Sequence, residues 1–287
     1  MNRKKFIQLS STLVAGSLLH ANELEASGIW NKEELVILHT NDFHSRFEPF
    51  PSTHKTWGNK GGISQLKTLI DQFRKQYKNV ILLDSGDVWQ GTAYFNVFKG
   101  HPELEWMKNV NYQATTIGNH DFDLGIDHLC ELRKKYETPT VLCNYQINHK
   151  GFQEIIKPYK IIQSGKIKVG ITGVAIDFHD LLPQKSYEGI IYQDPIEPLQ
   201  RTVNELRLNQ SCDIVIVLSH LGYKYESDKI DDLKLAQHTY GIDAILGGHT
   251  HTFLEKPISI KNKKGKYTIV NQAGWAGLQL GKLHFHI

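Results

Sequence analysis

Five short stretches of the chain concentrate the residue types that bind divalent cations and move protons. They are Asn41-Asp42-Phe43-His44, Asp84-Ser85-Gly86-Asp87, Gly118-Asn119-His120-Asp121-Phe122-Asp123, Ser219-His220 and Gly247-Gly248-His249-Thr250-His251. Imidazole, carboxylate and amide oxygen together suit borderline or harder divalent ions such as Zn, Mn or Fe. Asp42 and His44 are two residues apart, as are His249 and His251. In extended backbone, side chains two apart point the same way, so each pair is predicted to face one cation centre. Gly86, Gly118, Gly247 and Gly248 let the backbone turn sharply and approach closely. The cysteines Cys130, Cys143 and Cys212 stand outside these stretches and match no thiolate zinc spacing. They read as small buried residues, and three of them imply no disulfide framework.

Each stretch follows a run that reads as a strand: Leu35 to His39, Val80 to Leu83, Ala114 to Ile117, Ile214 to Leu218 and Ala244 to Leu246. Between them lie helical patterns: Ile63 to Tyr77, a short helix from Pro102 to Met107, Ile126 to Tyr136, Ile196 to Leu208 opened by Pro195, and Ile230 to His238. Alternating strands and helices predict an α/β fold of doubly wound type. Such sheets build their sites beyond the carboxyl ends of strands, so the five loops are expected to converge on one crevice. A hairpin around Ser164-Gly165-Lys166 and a β-rich tail from Pro257 to Ile287, with a turn at Lys261 to Lys266, suggest a second sheet or an antiparallel extension.

The ordered set Asp42-x-His44, Gly86-Asp87, Gly118-Asn119-His120-Asp121, His220 and Gly248-His249-Thr250-His251 resembles the calcineurin-like metallophosphoesterases. Closer still, His39-Thr40-Asn41-Asp42-Phe43-His44, Gly118-Asn119-His120-Asp121-Phe122-Asp123 and Asn271-Gln272-Ala273-Gly274 resemble the N-terminal catalytic domain of 5′-nucleotidases. The resemblance implies two β-sheets packed between helices, a four-layer αββα sandwich. It implies that Asp42, His44, Asp87 and His251 hold one metal, that Asp87, Asn119, His220 and His249 hold the other, and that Asp87 bridges them. It leaves His120 outside ligation, as the group that steadies the phosphate or protonates the leaving oxygen, with Asp123 orienting it. A bridging water that loses its proton near neutral pH would then attack phosphorus in line. The expected substrate is a small phosphorylated molecule of the nucleotide class. Phosphodiesters, UDP-sugars or pyrophosphates are alternatives, as is a metal-dependent binding module working with a separate substrate-binding chain.

The chain has 287 residues, 40% hydrophobic and 22% charged, which suits a soluble globular protein. The formal net charge of +3 is too small to advertise a nucleic-acid polymer as partner. Arg3, Lys4 and Lys5 followed by a mildly apolar stretch from Phe6 to Leu19 read as an export signal over residues 1–26. It is similar to a twin-arginine leader with Lys4 in place of the second arginine. A bacterial periplasm or cell surface is the expected location. Residues 30–287 read as one catalytic domain, with no C-terminal nucleotide-binding domain following it.

Other candidates carry ordinary readings. Of the 15 histidines the motifs use five. His39 reads as packed or as supporting a ligand, and His284 and His286 as face residues of a terminal strand. Asp84 either accepts a hydrogen bond from a ligand histidine or stabilises the turn before Gly86. Asp121 adjoins His120, but Asp123 is favoured as the acid that orients it, with contact to loop backbone the alternative for Asp121. Trp57, Trp89 and Trp275 read as packing, with a substrate mouth as the alternative.

Overall fold

The computed structural model describes residues 6–8 and 33–287. The export signal expected over residues 1–26 therefore lies outside the described residues, except for Phe6–Gln8. In chain order the elements are β1 (Phe6–Gln8), β2 (Glu34–Thr40), α1 (Ile63–Gln76), β3 (Val80–Asp84), α2 (Ala93–Phe98), α3 (His101–Asn109), β4 (Ala114–Thr115), α4 (Ile126–Lys135), β5 (Thr140–Val141), β6 (Tyr145–Ile147) and α5 (Lys150–Ile155). They continue with β7 (Ile156–Lys157), β8 (Tyr159–Ser164), β9 (Ile167–Ala175), β10 (Ile190–Tyr192), α6 (Ile196–Asn204), β11 (Ile214–His220), α7 (Asp232–His238), β12 (Ala244–Gly247), β13 (Ile258–Lys261), β14 (Tyr267–Gln272) and β15 (Gly281–His286).

Two large sheets result. One has seven strands in the order β1-β15-β2-β3-β4-β5-β7, parallel from β2 to β7, with β15 and β1 added antiparallel. The other has six, β13-β14-β12-β11-β9-β8, parallel from β14 to β9 and closed on both edges by antiparallel strands. β6 and β10 form a small separate pair.

The period-two geometry of strands sorts side chains between layers. Leu35 and Ile37 of β2 pack between the sheets with Ile214, Ile216 and Leu218 of β11. Their neighbours Val36 and Leu38 face outward onto Leu66 and Ile70 of α1. On the far side, Val215 and Val217 meet Leu199 and Val203 of α6 and Leu235 of α7. Strands buried on both faces need apolar residues at every position, which is why the runs are continuous rather than alternating. Helices on both outer faces of two stacked sheets make the four-layer sandwich. Each fully buried aliphatic side chain contributes about 1.5–3 kcal/mol, so this centre holds the two strand ends of the site in fixed relation.

Several elements depart from the sequence-based expectation. Only Ala114–Thr115 of the run to Ile117 pairs as strand, because Thr116 and Ile117 already lead into the Gly118 loop. The helix expected to reach Leu208 is α-helical to Asn204 and then widens into one π-type turn, Glu205–Asn209. α2 and α5 have six residues each, too short to show a periodicity.

Candidate metal centre

β2, β3 and β4 end at the same edge of the first sheet, and β11 and β12 end at the facing edge of the second. The first group delivers Asp42, His44, Asp87, Asn119 and His120, and the second delivers His220, His249 and His251. The structure brings all seven expected ligands together. Two clusters stand out, Asp42 with His44 and His251, and Asp87 with His220 and His249, the ligand atoms within each lying inside 4.8 Å of one another. Asn119 joins the second, its Oδ1 2.9 Å from His249 Nδ1. The clusters adjoin, for His220 Nε2 lies 3.1 Å from Asp87 Oδ2 and 4.0 Å from Asp42 Oδ1.

The backbone route to this convergence differs from the one read off the spacing. Asp42, His44, Asp87, His249 and His251 all have left-handed backbone, with φ of 51°, 50°, 57°, 72° and 52°. Asp42 and His44 therefore face one centre by tight turning, not by extended alternation, whereas His249 and His251 do not share a centre as their spacing suggested but split between the two clusters. Non-glycine residues in this region store strain of about 1–3 kcal/mol each and persist where the surroundings over-determine them. The surroundings are visible. Asp42 receives the His249 backbone N–H at 3.0 Å, and Asp87 receives that of His120 at 2.8 Å. Gly118 has to be glycine for a different reason: a Cβ there would lie 2.0 Å from Asp87 Oδ1 and 2.6 Å from His220 Nε2.

The imidazoles are aimed from outside. His44 donates from Nδ1 to the Trp89 carbonyl at 3.0 Å, and His220 donates from Nδ1 to the Ser85 carbonyl at 2.7 Å. Such outer hydrogen bonds fix the tautomer and leave Nε2 as a lone pair. His44 Nε2 then faces His251 Nε2 at 3.0 Å, and His220 Nε2 faces a carboxylate oxygen without a good hydrogen bond. The His44 lone pair, the carboxylate oxygens of Asp42 and Asp87, and the Nε2 of His220 all turn toward shared points where a positive charge would satisfy them together. The donor set therefore fits divalent cations. With protons alone, the pair is an ion pair. Burial opposes charge on both groups, yet Asp87 pushes His220 up to about 10, and His220 holds the Asp87 carboxyl well below the usual range. Burial and the neighbouring His220 push His249 down to about 4.

His120 stands apart from the two clusters. Its Nδ1 contacts Asp123 at 3.0 and 3.3 Å, and this hydrogen bond raises its pKa. Asp121 Oδ2 instead accepts the backbone N–H groups of Gly118 at 2.9 Å and Asp87 at 3.3 Å, tying two loops together. Asp84 stabilises the turn rather than a histidine, accepting from Gly86 N at 2.9 Å and Thr40 Oγ1 at 2.6 Å. Burial raises its pKa to about 7. His39 is packed, its Nε2 2.9 Å from Asn271 Nδ2. Trp89 is buried and Trp57 stacks on Phe253, but Trp275 lies parallel to the His251 ring at 5.3 Å and so flanks the site.

Two residues escaped sequence reasoning. Arg133 of α4 is fully buried beneath the loops, reaching Asp121 at 3.4 Å and the hydroxyls of Thr115 and Thr140 at 2.7 and 2.9 Å. Asn41 links the first loop to the last, donating to Asp42 Oδ2 at 2.7 Å and accepting from Ala273 N at 2.8 Å. Its place in the motif beside Asp42 was the available signal.

The sequence profile of the calcineurin-like phosphoesterases matches residues 35–253, a span holding every residue of both clusters. The chain belongs to that family. It is 35% identical to human 5′-nucleotidase over 257 residues, 85% of this chain and 42% of the relative. It is 36% identical to a snake venom 5′-nucleotidase of Naja atra over 230 residues, 77% of this chain and 42% of the relative. Among solved structures, the 5′-nucleotidase precursor of Thermus thermophilus superposes with a TM-score of 0.79 at 32% identity, covering 88% of this chain and 51% of that one. This calcineurin-like phosphoesterase thus spans about half the length of the relatives it matches.

Proposed function

We propose that this calcineurin-like phosphoesterase hydrolyses phosphate esters of the nucleotide class at the joined clusters. The observation that carries the reading is the pair of adjacent triads, Asp42–His44–His251 and Asp87–His220–His249, with ring nitrogens and carboxylate oxygens converging on common points. Asp42, His44, Asp87 and His251 would hold one divalent cation, and Asp87, Asn119, His220 and His249 the other, with Zn, Mn and Fe the chemically suited ions. When bound, such a pair supplies charge for the phosphoryl oxygens and makes water nucleophilic near neutral pH.

The protein's own groups do the rest. Asp87 would bridge the two cations, and it orients the His120 loop through the His120 backbone N–H. Asp123 holds His120 Nδ1, which leaves Nε2 to donate a proton to the departing alkoxide. Asp123 then stabilises the ring while it is charged. Asn41, held by Ala273 just after β14, braces Asp42 against displacement. No serine or cysteine nucleophile is required by this arrangement, and no phosphoenzyme is expected.

The nucleotide preference rests on what the relatives are called, and it is tested on this chain directly. Chromatographic detection of the hydrolysis products of AMP, a cyclic nucleotide, UDP-glucose and an aryl phosphate, each with added Mn or Zn, ranks the substrate classes. AMP as the best substrate supports the proposal, and an absence of turnover on all four sinks it. The basic head and apolar stretch at the N-terminus further support export to a bacterial periplasm or cell surface. N-terminal sequencing of the protein from an extracytoplasmic fraction tests that part.

A further inference from the structure

We propose a separate metal site at the opposite end of the first sheet, formed by Glu34, His284 and His286 and suited to a zinc-type divalent cation. The three ligand atoms lie within 4.8 Å of one another. Their convergence follows from strand register. His286 pairs directly with Glu34 across the antiparallel β15–β2 ladder, and His284 pairs with Val36 on the same face. Leu283 and Phe285 take the other face and pack between the sheets, so His284 and His286 both point to the helix side.

The alternation on β15 by itself reads as two ordinary face residues. The cross-strand glutamate changes that reading. Glu34 Oε2 lies 3.0 Å from His284 Nε2, and the two imidazole centroids are 4.2 Å apart. The Glu34–His284 hydrogen bond explains two of these residues and leaves His286 without a hydrogen-bond partner among the described residues. A cation between them would use all three. The Tyr77 ring, steeply inclined to His284 with centroids 5.1 Å apart, walls the inner side, and the His284 side chain is only 12% exposed while Glu34 is 40% exposed. Two imidazoles and one carboxylate are a common zinc set, with the fourth position open to solvent.

This cluster is distinct from the candidate centre. Glu34 begins β2 and Asp42 follows its end, and the six steps from Glu34 to Thr40 at ~3.3 Å rise alone span about 20 Å. A cation here would fasten β15 to β2 and stabilise the folded state by mass action, without touching substrate.

Full-length protein stripped with a chelator and dialysed against micromolar zinc reports the site by plasma mass spectrometry. Wild type is expected to retain one more zinc per chain than either His286→Gln or Glu34→Gln. The zinc-dependent rise in Tm shrinks in both variants, and phosphate release by His286→Gln stays at the wild-type rate. Glu34→Gln keeps the shape of an exposed side chain, so it serves if His286→Gln folds poorly. Equal zinc counts in wild type and the folded variants would overturn the assignment.

Discussion

His220 aims its Nε2 at Asp87 Oδ2 across 3.1 Å, while its Nδ1 is held by the Ser85 carbonyl two residues before that aspartate. One loop thus presents both the carboxylate and the carbonyl that orients its partner. Both side chains are buried; Asp87 belongs to the second cluster, and the same His220 nitrogen lies 4.0 Å from Asp42 Oδ1 of the first. Replacement of Asp87 by asparagine removes the buried charge that faces His220 and that the proposed function makes the bridge between two cations. Asp87→Asn is expected to lower phosphate release by several orders of magnitude and to reduce retained metal. Near-normal turnover with full metal content would remove Asp87 from the bridging role.

His120 makes a contrasting case. Its ring is held by Asp123 and stands outside both triads. His120→Asn should keep the metal content and the fold while slowing turnover by ~10²–10⁴, the usual scale for a proton-transfer group. The loss should be smaller for substrates with acidic leaving groups, such as an aryl phosphate, than for AMP. A variant that sheds its metal would show His120 to be a ligand.

The apolar strand runs and the polar loops after them were legible because strands buried on both faces leave a continuous signature, and the strand ends mark where a site can form. The division of strands between two sheets was not legible, since β2 and β11 carry equally apolar runs and nothing local says which neighbour each takes. The left-handed backbone at Asp42, His44, Asp87, His249 and His251 was hidden as well. Those residues are not glycines, and their conformation is imposed by hydrogen bonds from distant loops. The Arg133–Asp121 contact joins a helix that read as ordinary to a loop residue, a pairing that only tertiary structure reveals. Glu34 lay at a strand start, 250 residues from His284, with no motif to connect them.

Arg133 and Asp121 form a buried pair with both side chains at 0% exposure. Burial pushes the Asp121 carboxyl up, and the Arg133 guanidinium opposes that. Arg133→Met leaves a buried carboxylate without its partner, at a cost of about 3–5 kcal/mol in unfolding free energy. The double variant Asp121→Asn with Arg133→Met should recover a substantial part, because no buried charge remains. Urea unfolding of Arg133→Met, Asp121→Asn and the double variant checks this. Additive losses in the double variant would show the two residues to be energetically independent.

His39 connects burial to acid sensitivity. It is fully buried against Asn271, and burial pushes it down to about 3 from its ordinary value of 6.5. The folded protein therefore keeps the ring neutral at pH 5, whereas the unfolded chain protonates it below about 6.5. More protons bound on unfolding means that stability falls as pH drops below that value. The contribution is about 1.4 kcal/mol per pH unit, or roughly 2 kcal/mol between pH 6.5 and 5. His39→Gln keeps a polar contact for Asn271 without a titrating ring. Its urea midpoint should fall less than that of wild type between pH 7 and 5. Parallel midpoints across that window would show that His39 is not the source of the acid dependence.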